Sequence, residues 1–450
     1  MNDIIITFDN LLKAFKKNDN DMEISYLTSV KQLKQILNII HYNIIYEQPE
    51  IFFELHRILA RNFCYSLSIR FTVQYNLFAG TILTLGTDEQ ISLIQNNSII
   101  GSFGLTEEMA GVNSGLIIKT TAVWNGNGFF LKTEKNNPKY WISQGLTSDY
   151  IIVFANLYIK DKNYGIHVFL VKLYNNDGNL NDGIIIEEMK EKTICNGLDN
   201  IKIHFNISIP KESLLSKYMT IENNKYILKN KNYNFLFVAQ RLLIGRFSIA
   251  IGSLEFYNVL LDKMNNEFFT REVYIIKNNK KILKDIPHIK NLLIKSKKNI
   301  VKYNIFLKNL EKNICILLKN KEFFTQDIIE NISIAKIICT EYPLKMIPLL
   351  KQKLGSQSLI KSNNLNNEMD IFYMCAFAEG SNELLKQKLT RDACLNLIKN
   401  PIYTLLYYPD IFQLIKLVLQ INIYNDKLKI WFDNYDNIIL YSNKIIKSKL

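Results

Sequence analysis

The sequence predicts an α+β multidomain protein with an N-terminal α-helical domain, a central β domain and a C-terminal α-helical bundle. Apolar residues recur at intervals of three and four near the start, as in Leu33, Ile36 and Ile40, which is typical of helices. From about 101 to 210 the pattern changes to short apolar runs, and beyond about 230 helical spacing returns. We therefore expect domains at 1–100, 101–215 and 230–400, followed by a helical tail at 401–450.

The central segment has the alternation and the turns of β structure. Ile201, Ile203 and Phe205 alternate with polar residues, which places one face of a strand on a core. Apolar runs at 151–157 and 166–173 predict two further strands, and the polar residues 161–163 lie between them.

Long helices are predicted at 242–261, 289–318 and 328–350, where few Gly or Pro residues interrupt the apolar spacing. The tail continues this pattern. We expect it to pack against the rest of the protein through apolar side chains, namely Leu405, Phe412, Leu417 and Trp431.

A chain of 450 residues with 48% hydrophobic content can bury a sizeable core and is too long for one small domain. The net charge of +13 could indicate nucleic-acid binding, but the Lys residues are spread along the whole chain. Around 295–302 they interleave with Ile and Leu at helical spacing. We therefore expect solvated helix faces and no nucleic-acid partner.

The cysteines and histidines indicate neither disulfides nor metal. The six Cys have no Cys-x-x-Cys spacing, and the polar start Met1-Asn2-Asp3 opens no signal segment, which predicts a reduced, intracellular protein. The five His lack metal-ligand spacing. No apolar run is long enough to cross a bilayer, so we expect no metal and no membrane span.

Four segments contain candidate site residues. The β segment opens with a loop of small and hydroxyl residues, 104–115, and continues with 139–146, in which an aromatic residue precedes small ones. A third segment, 197–212, ends the last strand. In the fourth, Glu379-Gly380-Ser381-Asn382 precedes a helical stripe, so Gly380 supplies a turn and Ser381 or Asn382 caps the helix. Taken singly, these residues are also consistent with a strand-end Thr, a core Trp, a turn Ser and an exposed Glu.

In this order, Thr106-Glu107, Lys139-Tyr140-Trp141-Ile142, Gly197-Leu198-Asp199-Asn200 and Phe205-Asn206 with Ile209-Pro210 resemble the acyl-CoA oxidase and dehydrogenase flavoproteins. The segment 73–80 with Leu85-Gly86-Thr87 is similar to the oxidase branch in particular. The resemblance covers roughly 50–395. It departs from the family pattern at Met109-Ala110-Gly111-Val112 and Ser143-Gln144, and Gly355-Ser356-Gln357 is a remnant of the family's Gly-rich loop.

The resemblance implies a dehydrogenase-like architecture with a β-barrel-like central domain, FAD as cofactor and a fatty acyl-CoA substrate. By motif position Thr106 contacts the flavin, Trp141 lies near its ring system, and Ser143 stands where the family has a flavin-contacting Gly. Arg271 matches the Arg that meets the FAD pyrophosphate, although a solvated Arg fits equally well. Glu379 takes the position of the catalytic base.

The reaction implied is α,β-dehydrogenation to a trans-2-enoyl-CoA, in which Glu379 removes the α-proton and the β-hydrogen leaves as hydride to the flavin. A free Glu has a pKa of about 4.3 and is a weak base, so we expect Phe377 and the neighbouring Ala residues to provide a dry setting.

The acceptor of the electrons is either O2, which gives H2O2, or an electron-transfer flavoprotein. A degenerate, non-catalytic acyl-CoA-binding or protein-binding relative is the second class of hypothesis. The expected assembly is a homodimer or homotetramer. The terminal Ser448-Lys449-Leu450 matches the peroxisomal import tripeptide and favours the oxidase, whereas cytoplasm is the alternative location.

Overall fold

The computed structural model describes residues 2–18, 24–96, 99–110, 117–230, 236–275, 279–360, 368–423 and 431–450. Two compact units are formed: unit 1 comprises Met1–Ser248 and Cys315–Phe323, and unit 2 comprises Ile249–Ile314 and Phe324–Leu450. The predicted order of helices, β structure and helices is confirmed. The bounds of the four predicted domains stay predictions. None of the helices in these described ranges is long and apolar enough for a membrane span.

The helices before the sheet are α1 (Asn2–Asn18), α2 (Tyr26–Leu37), α3 (Ile44–Glu47), α4 (Pro49–Arg61), α5 (Tyr65–Phe71), a π-helix (Thr72–Ala79), α6 (Gly80–Leu85) and α7 (Asp88–Asn96). Local chemistry sets their starts. Ser25 caps α2, since its Oγ accepts from the Thr28 amide at 3.1 Å, and α4 begins at Pro49, whose missing N–H is not needed there.

The strands are β1 (Gly101–Gly104), β2 (Thr121–Trp124), β3 (Gly128–Lys132), β4 (Lys139–Ser143), β5 (Tyr150–Ile159), β6 (Lys162–Lys172), β7 (Ile184–Glu188), β8 (Asn200–Pro210), β9 (Met219–Glu222), β10 (Lys225–Leu228), β11 (Glu272–Tyr274) and β12 (Lys280–Ile282). A short 3₁₀ turn, Lys211–Ser213, follows β8. The first eight strands form one sheet, while β9–β10 and β11–β12 are separate antiparallel pairs.

The main sheet nearly encloses its core. Its order is β1-β5-β2-β3-β8-β4, with β6 on β5 and β7 on β8, and β1 and β2 both run parallel to β5. A single bridge, Glu107 to Lys139, joins the two ends of this order. Within the described residues no ladder closes the ring, so the expected barrel-like domain is an open sheet.

The alternation predicted for β8 is confirmed, because Ile201, Ile203 and Phe205 are at most 1% exposed. The β5–β6 connection is a two-residue turn of Lys160 and Asp161, both with positive φ, which is the favoured hairpin geometry.

The later helices are α8 (Leu236–Lys263), a π-helical turn (Met264–Phe268), α9 (Pro287–Lys319), α10 (Gln326–Leu354), α11 (Glu368–Phe377), α12 (Asn382–Lys399), α13 (Pro401–Tyr407), α14 (Ile411–Ile423) and α15 (Tyr435–Lys449), with 3₁₀ turns at Leu283–Asp285 and Gly355–Leu359. Tail packing is only partly as expected. Leu417 is 2% exposed, but Leu405 and Phe412 are 61% and 88% exposed, since these two lie on outer faces of α13 and α14.

Candidate functional site

The ends of the sheet order meet at a seam, the β1–β4 seam, formed by residues 104–108 and 138–142. Across it the Tyr140 amide donates to the Thr106 carbonyl at 2.9 Å, and the Glu108 amide donates to the Pro138 carbonyl at 3.0 Å. These bonds bring Thr106 beside Tyr140, the residue that precedes Trp141. The side chains of Thr106 and Trp141 are both exposed. The seam thus unites two of the predicted flavin-contacting residues.

Trp141 has a conformation that bulky residues rarely adopt. Its φ is +56°, and the β4–β8 register shifts between Lys139 and Ile142, which inserts one extra residue into β4. Such bulges re-aim side chains and are frequent next to functional sites. Trp141 is 50% exposed, so the core-Trp interpretation is wrong.

A buried ion pair between Lys139 and Glu107 connects the two sides of the seam. Lys139 Nζ lies 2.9 Å from Glu107 Oε1, and both side chains are essentially inaccessible. Lys139 also donates to the Phe154 carbonyl at 2.8 Å, while Glu107 accepts from the Lys119 and Thr120 amides. Every charged group here is therefore satisfied.

The pKa values reflect this arrangement. Burial lowers the pKa of Lys139 to about 8, although the Glu107 charge opposes the change. For Glu107, burial raises the pKa, but the Lys139 charge and the hydrogen bonds from Thr120 and Lys139 outweigh it, so the net direction is downward. Both groups are charged at neutral pH.

Ser143 ends β4 and is half-buried; its Oγ accepts from Asn200 Nδ2 at 3.1 Å. The next residue, Gln144, stands where the resembled family has Gly, yet its φ is +64°. Its side chain offsets this strain, because Nε2 donates to the Gly101 carbonyl at 2.7 Å. Arg70, which forms a buried pair with Asp199 at 2.7 Å, reaches Gln144 Oε1 at 3.4 Å.

The first candidate loop is described only in part. Met109 is 69% exposed, and Ala110 is half-buried. Gly111, Val112 and the rest of the loop through Gly115 lie outside the described residues.

Glu379 occupies the turn between α11 and α12. Its φ is +57°, and that of Gly380 is +97°. Ser381 caps α12 by accepting from the Leu384 amide at 3.3 Å, which confirms the predicted turn and cap. One carboxylate oxygen of Glu379, Oε2, is buried. Phe377, however, is 62% exposed, because it ends α11 on the outer side. The expectation that this ring provides a dry setting for Glu379 is therefore wrong.

Arg271 belongs to unit 2, whereas Thr106, Trp141 and Ser143 belong to unit 1. Its Nη2 donates to the Leu354 carbonyl at 2.9 Å, which satisfies a terminal carbonyl of α10. The side chain is otherwise exposed. A contact with the FAD pyrophosphate stays a prediction.

Arg241 in α8 was not singled out by the sequence. It is 2% exposed, and within the described part of the chain its Nε and Nη1 have no hydrogen-bond acceptor. Its guanidinium lies over the Tyr46 ring at 5.1 Å, and a Cβ on Gly80 would come within 2.9 Å of Nη1. A buried cation with free donors is a candidate contact for an anionic or carbonyl group. In the sequence, the one feature that could have drawn attention to Arg241 is its position directly before the apolar residues 242–244.

The donor set of the seam fits a flavin. A flavin ring is planar, apolar on its faces and polar at its edge. The seam presents a half-exposed indole in Trp141 and an exposed hydroxyl in Thr106, and Ser143, the residue that follows the seam, adds a half-buried hydroxyl. An aromatic residue held outward at a strained position suits stacking on such a ring.

Comparison with known proteins agrees with this architecture. No protein-family model matches the chain. It is 29% identical over 199 residues to the mouse acyl-coenzyme A oxidase-like protein, covering 42% of this chain and 32% of that one. It is 25% identical over 357 residues to Arabidopsis thaliana acyl-coenzyme A oxidase 3, peroxisomal, covering 75% and 52%. The chain thus spans about half the length, or less, of these curated relatives.

Among solved structures, Caenorhabditis elegans acyl-CoA oxidase-2, bound with FAD, ascaroside-CoA and ATP, superposes with a TM-score of 0.79 at 18% identity, covering 98% of this chain and 74% of that one. The fold is therefore that of the acyl-CoA oxidases. The curated relatives are acyl-CoA oxidases as well, so this chain is similar to the acyl-CoA oxidases in sequence and in fold.

Proposed function

We propose that the chain binds FAD and converts a fatty acyl-CoA to the trans-2-enoyl-CoA. The observation that carries this proposal is the β1–β4 seam, where a strained Trp141 is held outward beside Thr106. Strain of this kind is retained where function requires it. Similarity to the acyl-CoA oxidases supports the substrate class.

Thr106 and Trp141 at the seam, with Ser143 next to it, would hold the flavin, and Arg271 would contact its pyrophosphate. When bound, FAD supplies the hydride acceptor and, in an oxidase, passes the electron pair to O2 to give H2O2. The buried Glu107–Lys139 pair keeps the two edges of the seam in register, so the flavin contacts are set before the cofactor arrives.

Glu379 would accept the α-proton of the acyl thioester on its carboxylate. Its turn lies between two helix ends, with α11 ending at Phe377 and Ser381 capping α12, so the carboxylate needs little reorganisation. The proton must leave as the β-hydrogen departs, which requires a base held within hydrogen-bond reach of the reacting carbon.

The names of the curated relatives favour an oxidase over a dehydrogenase. The purified protein, reconstituted with FAD and freed of unbound cofactor, should have a flavin absorption spectrum. Saturated acyl-CoA added without O2 should bleach it, and admission of O2 should restore it with release of H2O2.

Each other result changes the conclusion. If the protein neither retains FAD nor bleaches, the proposal of an FAD enzyme is wrong. The chain is then a non-catalytic binding protein. Bleaching that persists in O2 would instead indicate a dehydrogenase that needs an electron-transfer flavoprotein.

We also propose a peroxisomal location and assembly as a homodimer or homotetramer. Two curated relatives from Arabidopsis thaliana are named as peroxisomal, and Ser448-Lys449-Leu450 matches the tripeptide that the import receptor reads when it is free at a C-terminus. Lys449 Nζ lies 3.2 Å from Asp327 Oδ1, so receptor binding would require this contact to open. A fluorescent fusion with a free C-terminus should form peroxisomal puncta, and diffuse fluorescence would contradict the location.

Light scattering of the purified protein should give two or four subunits, and a monomer would contradict the assembly.

A further inference from the structure

Lys336 lies in the middle of α10 and is 0% exposed. Its Nζ donates to the carbonyl oxygens of Ala376 at 3.3 Å and Ala378 at 2.5 Å, and also to that of Gly380. These three carbonyls lie before, beside and after Glu379. A buried ammonium thus contacts the main chain on both sides of the candidate base.

These carbonyls need a donor. The last carbonyls of a helix have no intrahelical partner, and the negative end of the helix dipole favours a cation there. The turn that follows is unfavourable by itself, because left-handed φ in a residue other than Gly costs about 1–2 kcal/mol. Glu379 adopts this conformation, so an external contact must compensate for it.

The same face of α10 also holds the start of α12. Asn382 Nδ2 donates to Thr340 Oγ1 at 2.8 Å, and both residues are buried. Thr340 Oγ1 in turn donates to the carbonyl of Lys336 at 2.8 Å. Lys386, one turn further along α12, pairs with Glu341 at 2.7 Å. Contacts from one helix therefore fix both ends of the Glu379 turn.

We infer that Lys336 is a positioning residue for Glu379: its ammonium fixes the turn at 376–380 and thereby the direction of the Glu379 side chain. The inference rests on the proposed function, in which Glu379 is the base. Lys336 contacts main-chain atoms, so its effect on the reaction acts through Glu379.

The test compares Lys336→Met with Lys449→Met as a matched control, since Lys449 also contacts α10 and is 18% exposed. Anaerobic flavin reduction by acyl-CoA should slow about 100-fold in Lys336→Met, the loss typical of a base displaced by about 1 Å. FAD affinity and the KM for acyl-CoA should be unchanged, and Lys449→Met should match the parent. In a Glu379→Gln background, Lys336→Met should cause no further loss.

Hydrogen exchange of the 376–385 amides supplies a readout that needs no substrate, and it should accelerate in Lys336→Met alone. If Lys336→Met does not fold, the isosteric Thr340→Val should slow reduction about tenfold by releasing Asn382, a loss equivalent to about one hydrogen bond.

Unchanged reduction and exchange in Lys336→Met would overturn the inference, as would a further loss in the Glu379→Gln background. Absence of reduction in the parent would instead contradict the proposed function, whereas the exchange data would still report whether Lys336 holds the turn.

Discussion

Lys139 in unit 1 and Lys336 in unit 2 are both fully buried, and each contacts a segment that carries a candidate site residue. Lys139 holds the β1–β4 seam, whereas Lys336 holds the Glu379 turn. Their partners differ. Lys139 pairs with the Glu107 carboxylate and also donates to two carbonyls, those of Leu105 and Phe154. Lys336 donates to three carbonyls. The sheet is thus fixed by a closed ion pair, and the Glu379 turn by a cation on neutral acceptors.

The two sets of partners predict different losses when a charged residue is replaced. Removing one member of a buried ion pair leaves an uncompensated charge, whereas removing a cation from neutral carbonyls leaves only unsatisfied acceptors. We therefore expect the sheet to depend on its lysine for stability and the Glu379 turn to depend on its lysine mainly for geometry.

The largest expected effect is at the ion pair. Glu107→Gln leaves Lys139 buried without a counter-ion and should lower the free energy of unfolding by about 3–5 kcal/mol, measured by urea denaturation. The double variant Glu107→Gln/Lys139→Met should recover part of this loss. A double variant less stable than Glu107→Gln alone would contradict the closed-pair account.

His56 extends the comparison to a buried group that stays neutral. Its Nδ1 donates to the Phe52 carbonyl at 2.9 Å, and its Nε2 accepts from the Thr72 hydroxyl at 2.8 Å. Burial lowers the pKa of His56 to about 4. Because this lies below the unfolded value of about 6.5, the stabilisation is complete above pH 6.5 and is lost as the pH falls toward 4.

Between pH 7.5 and 4.5 the parent should therefore lose about 2–3 kcal/mol more stability than His56→Gln, since each pKa unit corresponds to about 1.4 kcal/mol. Urea denaturation at the two pH values measures the difference. Equal losses in the two proteins would mean that the pKa of His56 is the same in the folded and the unfolded state.

The smallest expected effect on stability is at Lys336. Lys336→Met should lower the free energy of unfolding by about 1–3 kcal/mol, the cost of unsatisfied buried acceptors. This loss is smaller than that of Glu107→Gln, although Lys336→Met should slow flavin reduction strongly. A loss at Lys336 as large as that at Glu107 would remove the distinction between the two lysines.

Sequence periodicity predicted the order of the elements because burial determines it directly, as in the alternation of Ile201, Ile203 and Phe205. It also predicted the helix cap at Ser381, since capping is local. Whether the sheet closes could not be predicted, because that depends on pairing between β1 and β4, which are distant in sequence.

The site was predictable only where it follows local motifs. Trp141 was selected by its neighbours, but its positive φ comes from a bulge opposite β8, which no local pattern reveals. Lys336 precedes its carbonyl partners by 40–44 residues and contacts main-chain atoms, so it resembles any other helical Lys in the sequence. The left-handed Gln144 could not be foreseen either, since its compensation comes from Gly101 and Arg70.

The central claim is that Glu379 is the base of an FAD-dependent acyl-CoA enzyme. The most direct measurement is the rate of anaerobic flavin reduction by acyl-CoA in the FAD-loaded parent, in Glu379→Gln and in the control Glu383→Gln, whose side chain is exposed four residues later. Glu379→Gln should slow reduction by about 100- to 10,000-fold, the contribution of a general base, while Glu383→Gln matches the parent. Reduction of Glu379→Gln as fast as the parent would contradict the assignment of the base.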